Sequence, residues 1–203
     1  YRDALRSREN YPKAHNNLGV ALQESADLSG AIQAFRRALE LEPDYHDAQI
    51  NLAMALLQIG AYGEGWELYN RRFQQDRHQH LLCARPPRPP LRDGLPPPGG
   101  RVLLVGEQGL GDTLQFMRYL LPLRQQGLEV SLCVDPRLHG LIRSSGLDAH
   151  PLGPDDRQAS ADQPWLPLLS LPALLGVRPG HAVVSDPYIQ PPAALVQQWR
   201  QRL

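Results

Sequence analysis

The sequence predicts an α + α/β chain, with stacked helical hairpins in its first part and a parallel sheet of alternating strands and helices in its last. Three observations carry this. The chain before residue 80 repeats itself at a spacing of 34 residues, a proline-rich stretch follows, and beyond it short apolar runs alternate with helical patterns. The boundaries implied are repeats over 1–80, a linker over 81–100 and an α/β region over 101–203.

The repeat is carried by Asn17 and Asn51, Leu18 and Leu52, Gly19 and Ala53, Ala21 and Ala55, Leu22 and Leu56, Ala31 and Gly65, and Phe35 and Tyr69, each pair 34 residues apart. Small residues fall where the two helices of a hairpin touch, and larger ones fill the gaps between hairpins. This is the tetratricopeptide period. Pro43 sits where such a repeat ends. Continued backwards, the register sets Tyr1, Ala4 and Leu5 opposite Phe35, Ala38 and Leu39, so the chain starts inside the second helix of a repeat and reads as a fragment. Trp66, Tyr69 and Phe73, at i, i+3 and i+7, form an aromatic stripe expected to seal the last repeat and dock the α/β region.

Pro86, Pro87, Pro89, Pro90, Pro96, Pro97 and Pro98 forbid a helix and favour an extended, semi-rigid spacer. His78, His80 and Cys83 beside it are a loose cluster without the four convergent ligands that structural zinc wants, so no metal is expected. Cys83 and Cys133 lack the spacing of a disulfide framework. Lys+Arg and Asp+Glu are both 21, and a balanced charge argues against a nucleic-acid partner, which needs clustered surplus cations. No apolar run reaches the length of a membrane span, and the cytoplasm is the expected location.

Val102 to Val105 supply a buried parallel strand, and Gly106, Gly109 and Gly111 then let the backbone turn tightly or approach a ligand. Asp112 reads as the N-cap of the next helix, with Leu114, Met117 and Leu121 facing the sheet. Glu129 to Val134 reads as a second strand and Pro136 to Ser145 as a helix. Leu147 to Leu152 reads as a weak third strand, Leu166 to Leu171 as a fourth apolar run, and Pro191 to Leu203 as the start of another helix.

Familiar nucleotide motifs fit the glycine turn poorly. It has no lysine for a P-loop, and the third glycine of the dinucleotide fingerprint is missing, although Asp135 stands at the end of the second strand where a ribose-binding acid belongs. An acid at Asp112 would also oppose a bound pyrophosphate. Two roles are open to it: a cap, or a base accepting the proton of an acceptor hydroxyl.

The run Glu107–Gly127, EQGLGDTLQFMRYLLPLRQQG, resembles the motif of bacterial tetratricopeptide-repeat glycosyltransferases, as do Glu64–Phe73 and Pro167–Val177 at their places. More remotely the turn is similar to that of heptosyltransferases. The resemblance implies tetratricopeptide helical hairpins followed by a Rossmann-like parallel sheet, the amino-terminal half of a GT-B-like fold. It implies Asp112 as catalytic base and Glu107, Gln108, Gly109, Gly111 and Thr113 as substrate-binding. Glu107 is read either as a second acid in the cleft or as a cap for a neighbouring loop. The donor would be a nucleotide sugar, held mainly by a half outside this chain, with no other cofactor. The repeats resemble those of O-linked N-acetylglucosamine transferase, which implies Asn17 and Asn51 as rungs gripping a peptide backbone, an inter-helix hydrogen bond being the other reading. The partner expected is a protein or glycan acceptor, with self-association through the repeats as a further possibility. The competing function is a repeat scaffold that only binds.

Overall fold

The computed structural model describes residues 10–73, 94–156 and 163–202, apart from 182 and 185. Tyr1, Ala4, Leu5, the His78, His80 and Cys83 cluster and the first prolines of the linker lie outside the described residues, as does the side chain of Phe73. The chain forms two compact units: one is the repeats together with residues 176–181, the other the sheet and its helices.

The repeat unit holds two hairpins, α1 (Pro12–Glu24) with α2 (Leu28–Leu41), and α3 (His46–Gln58) with α4 (Tyr62–Asn70). Pro12 starts α1 where its missing N–H costs nothing, and Asp27 caps α2 by accepting the Gly30 N–H at 2.9 Å. Ala31, Ile32, Phe35, Leu52, Ala55 and Leu56 make a continuous core through both hairpins. Gly19 faces the fully buried Phe35 ring so closely that a β-carbon there would lie 2.5 Å from it. The small and large positions inferred from the repeat are therefore in contact. Trp66 and Tyr69 pack edge to face, their ring centroids 6.0 Å apart. Arg72, where the first repeat has Ala38, is buried with its guanidinium over the Tyr69 ring and one N–H on the Tyr69 carbonyl.

Both α1 and α3 end in the same double hydrogen bond. After α3, Gly60 N–H reaches the Leu57 carbonyl and Ala61 N–H the Leu56 carbonyl; after α1, Ala26 N–H reaches Gln23 and Asp27 N–H reaches Leu22. This closure requires a left-handed residue, and Gly60 takes φ +82°. Ala26 takes φ +61° at the equivalent position with a β-carbon attached.

The second unit is a parallel sheet of β1 (Arg101–Val105), β2 (Glu129–Cys133) and β3 (Trp165–Pro167), in the order β2-β1-β3. The central strand is buried on both faces from Val102 to Val105, which is why it reads as an unbroken apolar run. Between β1 and β2 lie α5 (Leu110–Phe116), a 3₁₀ turn at Met117–Tyr119 and α6 (Leu120–Gln125). Pro122 cannot donate into a continuous helix, and the change of helix type falls in the turn before it. Then α7 (His139–Ser144) follows β2, and α8 (Leu171–Leu174) follows β3 through a 3₁₀ turn at Leu168–Ser170. The last helix is α9 (Ala193–Arg200).

Four expectations need correction here. The helix after the glycine turn starts at Leu110, so Gly109 is the N-cap and Asp112 the third helical residue. With that phase Met117 is buried as expected, but Thr113, Leu120 and Leu123 share its face, while Leu114 and Leu121 are only partly buried. The third strand is reduced to one parallel bridge, Cys133 with Leu152, because the Asp148 carboxylate takes the Leu132 N–H at 2.8 Å and replaces a strand along that part of the edge. The run Leu166 to Leu171 is strand only to Pro167 and turns helical beyond it.

Candidate functional site

The sheet brings the glycine turn to a defined place. From β1 the chain moves to β2 and on to the Leu152 bridge on one side, while β3 lies on the other side of β1. The order of connection therefore reverses between β1 and β3, and open parallel sheets bind ligands outside the carboxyl ends of the strands at such a reversal. Residues 106–112 leave β1 there, and residues 168–170 leave β3.

Within the turn the two acids differ. Glu107 is buried, and its Oε2 accepts the Leu169 N–H at 2.9 Å. Its carboxylate is a cap for the turn after β3, as one of the two sequence readings has it. Asp112 is half-buried, and its Oδ2 accepts the Gly109 N–H at 3.2 Å, the back-bond of a third helical residue to the N-cap. Among the described residues its carboxylate accepts no other hydrogen bond, and it stands beyond the carboxyl end of β1, beside the reversal in strand order. Gln108, Gly109 and Gly111 are exposed beside it. Thr113 is fully buried, and its hydroxyl donates to the Gly109 carbonyl at 3.3 Å. It faces the core in a helix that begins three residues earlier than an Asp112 cap would have set it, so it supports the turn from behind.

Neither Gly109 nor Gly111 has a positive φ; Gly109 is extended at φ −64° and ψ 170°. A β-carbon at Gly111 would meet nothing within 4 Å, and one at Gly109 only Asp112 Oδ2 at 3.5 Å. The fold itself does not demand glycine at either position. Asp135, the position of a ribose-binding acid, is held by Arg137 through its backbone N–H at 2.9 Å and its guanidinium at 2.7 and 3.0 Å. The guanidinium's hydrogen bonds, then the backbone N–H, pull the Asp135 carboxyl down to about 2.

In the repeats, Asn51 Nδ2 donates to Asn16 Oδ1 at 2.9 Å, across from α3 to α1. Asn16 is buried, whereas Asn17 is exposed and, among the described residues, has no hydrogen-bond partner. The periodicity singled out Asn17 because it matches Asn51 by sequence, but the residue Asn51 touches is its neighbour. The signal for Asn16 was the doubled asparagine, one residue on each side of the helix's edge. No cluster that could hold a metal occurs among the described residues, and none of their helices is long and apolar enough to cross a membrane.

Comparison with known proteins finds a family match in the repeats. The tetratricopeptide repeat profile matches residues 12–45, the hairpin of α1 and α2 with its closing turn. An uncharacterised protein of Methanocaldococcus jannaschii is 36% identical over 72 residues, 34% of this chain and 84% of that protein. The chain belongs to the tetratricopeptide-repeat family. Protein FlbA of Caulobacter vibrioides is 30% identical over 125 residues, 58% of this chain, and the peroxisomal targeting signal receptor of Candida glabrata is 39% identical over 67 residues, 33% of this chain. This tetratricopeptide-repeat chain spans 20% and 11% of those two relatives. Among solved structures, a mutant O-GlcNAc transferase of Thermobaculum terrenum aligns over 81% of this chain and 29% of its own, at 24% identity and a TM-score of 0.34.

Proposed function

We propose that this chain is the acceptor-side part of a glycosyltransferase, in which the tetratricopeptide repeats take an extended segment of a protein or glycan acceptor and the crevice between β1 and β3 receives its hydroxyl. The sugar would come from a nucleotide sugar held mainly by residues outside this chain. The observation that carries the reading is the position of Gly109–Asp112. A glycine turn that the fold does not require sits at the strand-order reversal, with a partly exposed carboxylate beside it. In this reading Asp112 accepts the proton of the attacking hydroxyl, while Gln108, Gly109 and Gly111 border the ligand. Glu107 and Thr113 hold the turn from inside. The peroxisomal receptors are named for receiving a targeting signal, and a repeat groove that receives a peptide is the role proposed for the repeats here.

The test is Asp112→Asn in the full-length protein. Asparagine keeps an oxygen for the Gly109 N–H and loses the proton acceptor, so the melting temperature should hold while transfer to acceptor falls by roughly a hundred- to ten-thousandfold. Unchanged turnover leaves Asp112 as the helix-start back-bond it also is. That outcome favours the second reading, a binding scaffold without catalysis, whose supporting observation is the hydrogen bond Asp112 already makes.

A further inference from the structure

The last paired residues of β1 and β3 are Val105 and Pro167. Two residues beyond each lie Glu107 and Leu169, and there the carboxylate of one takes the backbone N–H of the other. Proline at 167 cannot donate, and past it the β3 chain turns into a 3₁₀ helix, so backbone pairing between the two strands stops. The side chain of Glu107 carries the pairing one step further, from within a buried environment. It does so at the one point where both walls of the crevice begin, since residues 108–112 continue from Glu107 and residues 168–170 surround its partner.

We propose that Glu107 is a positioning residue: its carboxylate fixes the turn after β3 against the turn after β1, and thereby sets where Gly109 and Asp112 stand at the crevice. The role rests on the reading of that crevice as the acceptor site, but the bond it describes does not. A carboxylate suits the position because the first N–H groups of a helical turn are unpaired and carry partial positive charge. An accepting oxygen at the right reach is the requirement, and a proton-transfer role is not.

The experiment compares Glu107→Gln with Glu107→Ala in this chain by amide hydrogen exchange, and in the full-length protein by transfer to acceptor. Glutamine retains an accepting oxygen. Leu169 should stay protected in Glu107→Gln and lose roughly ten- to a hundredfold in protection in Glu107→Ala, with the amide signals of Gly109 to Asp112 moving in the alanine variant only. Transfer should follow the same order, glutamine largely rescuing what alanine loses through turnover. Leu169 protection unchanged in Glu107→Ala overturns the tie. Transfer abolished in Glu107→Gln while Leu169 remains protected also overturns it, because the charge itself would then be acting. A protein without transferase activity still gives the exchange result, so failure of the acceptor reading is separate from failure of the tie. Should Glu107→Ala not fold, Glu107→Gln decides alone: loss of Leu169 protection there despite the retained oxygen rejects the proposal.

Discussion

Glycines in the two units exist for opposite reasons. In the repeats, Gly19 is forced by what surrounds it: any β-carbon would lie 2.5 to 2.9 Å from three atoms of the buried Phe35 ring. At the turn after β1, Gly109 and Gly111 have ordinary backbone angles; a β-carbon would meet open space at Gly111 and only an ordinary contact at Gly109. A glycine compelled by internal packing informs on the fold alone. One that nothing inside the chain compels is a candidate for close approach from outside, and the contrast therefore separates a structural position from a functional one before any ligand is known.

The largest effect on stability should come from the compelled glycine. Gly19→Ala places a methyl into a ring that is itself fully buried and cannot swing away, and overpacking of this kind costs roughly 1–3 kcal/mol. Thermal unfolding of the variant measures it. A melting temperature unchanged within error would mean that the two helices part easily, and the contrast with the turn would lose its first term.

An intermediate effect tests the helix ends, where the two repeats solve one problem with different residues. Ala26 holds φ +61° and Gly60 φ +82° at positions one repeat apart, closing their helices by the same pair of hydrogen bonds. Left-handed backbone costs a β-carbon about 1–2 kcal/mol, offset in part by the greater freedom glycine has when unfolded. Ala26→Gly should therefore stabilise by about 0.5–1 kcal/mol, and Gly60→Ala should destabilise by about 1 kcal/mol. Chemical denaturation of both variants checks the pair; equal signs would show that the closures differ despite their shared hydrogen bonds.

How much of this was legible in the sequence follows from the range over which each signal acts. The repeats were readable because Gly19, Ala31, Phe35 and their counterparts recur at a fixed period, and the strands because burial on both faces leaves unbroken apolar runs. The bridge at Leu152 was not, since whether an edge is completed by a strand or by the Asp148 carboxylate depends on a contact sixteen residues away. Thr113 was assigned to the ligand through the resemblance of the whole run, which does not separate the two sides of the helix; with the helix capped by Gly109, that side chain lies in the core. The role of Glu107 depends on a partner 62 residues distant, beyond any local pattern, although its identity as a cap was one of the alternatives the residues allowed. Asn51 makes an inter-helix hydrogen bond, the second of the two readings the sequence left open, and its partner is fixed by the crossing of two helices, which selects Asn16 over Asn17.

The smallest change in stability, and the sharpest use of the comparison, belongs to Gly111. It is the second residue of α5, exposed, with nothing within 4 Å of a β-carbon built there. Alanine is the better helix former, so Gly111→Ala should leave stability unchanged or raise it by about 0.5 kcal/mol or less. If the glycine is there to let an acceptor come close to the backbone, the same variant should weaken acceptor binding in the full-length protein, and Gly111→Val should weaken it further while folding is retained. The same substitution type at Gly19 gives the reverse pattern, damage to folding with no separate effect on the crevice. Full acceptor binding in both Gly111 variants would remove the reason for assigning the turn a function, because the residue would then be neither structurally compelled nor used.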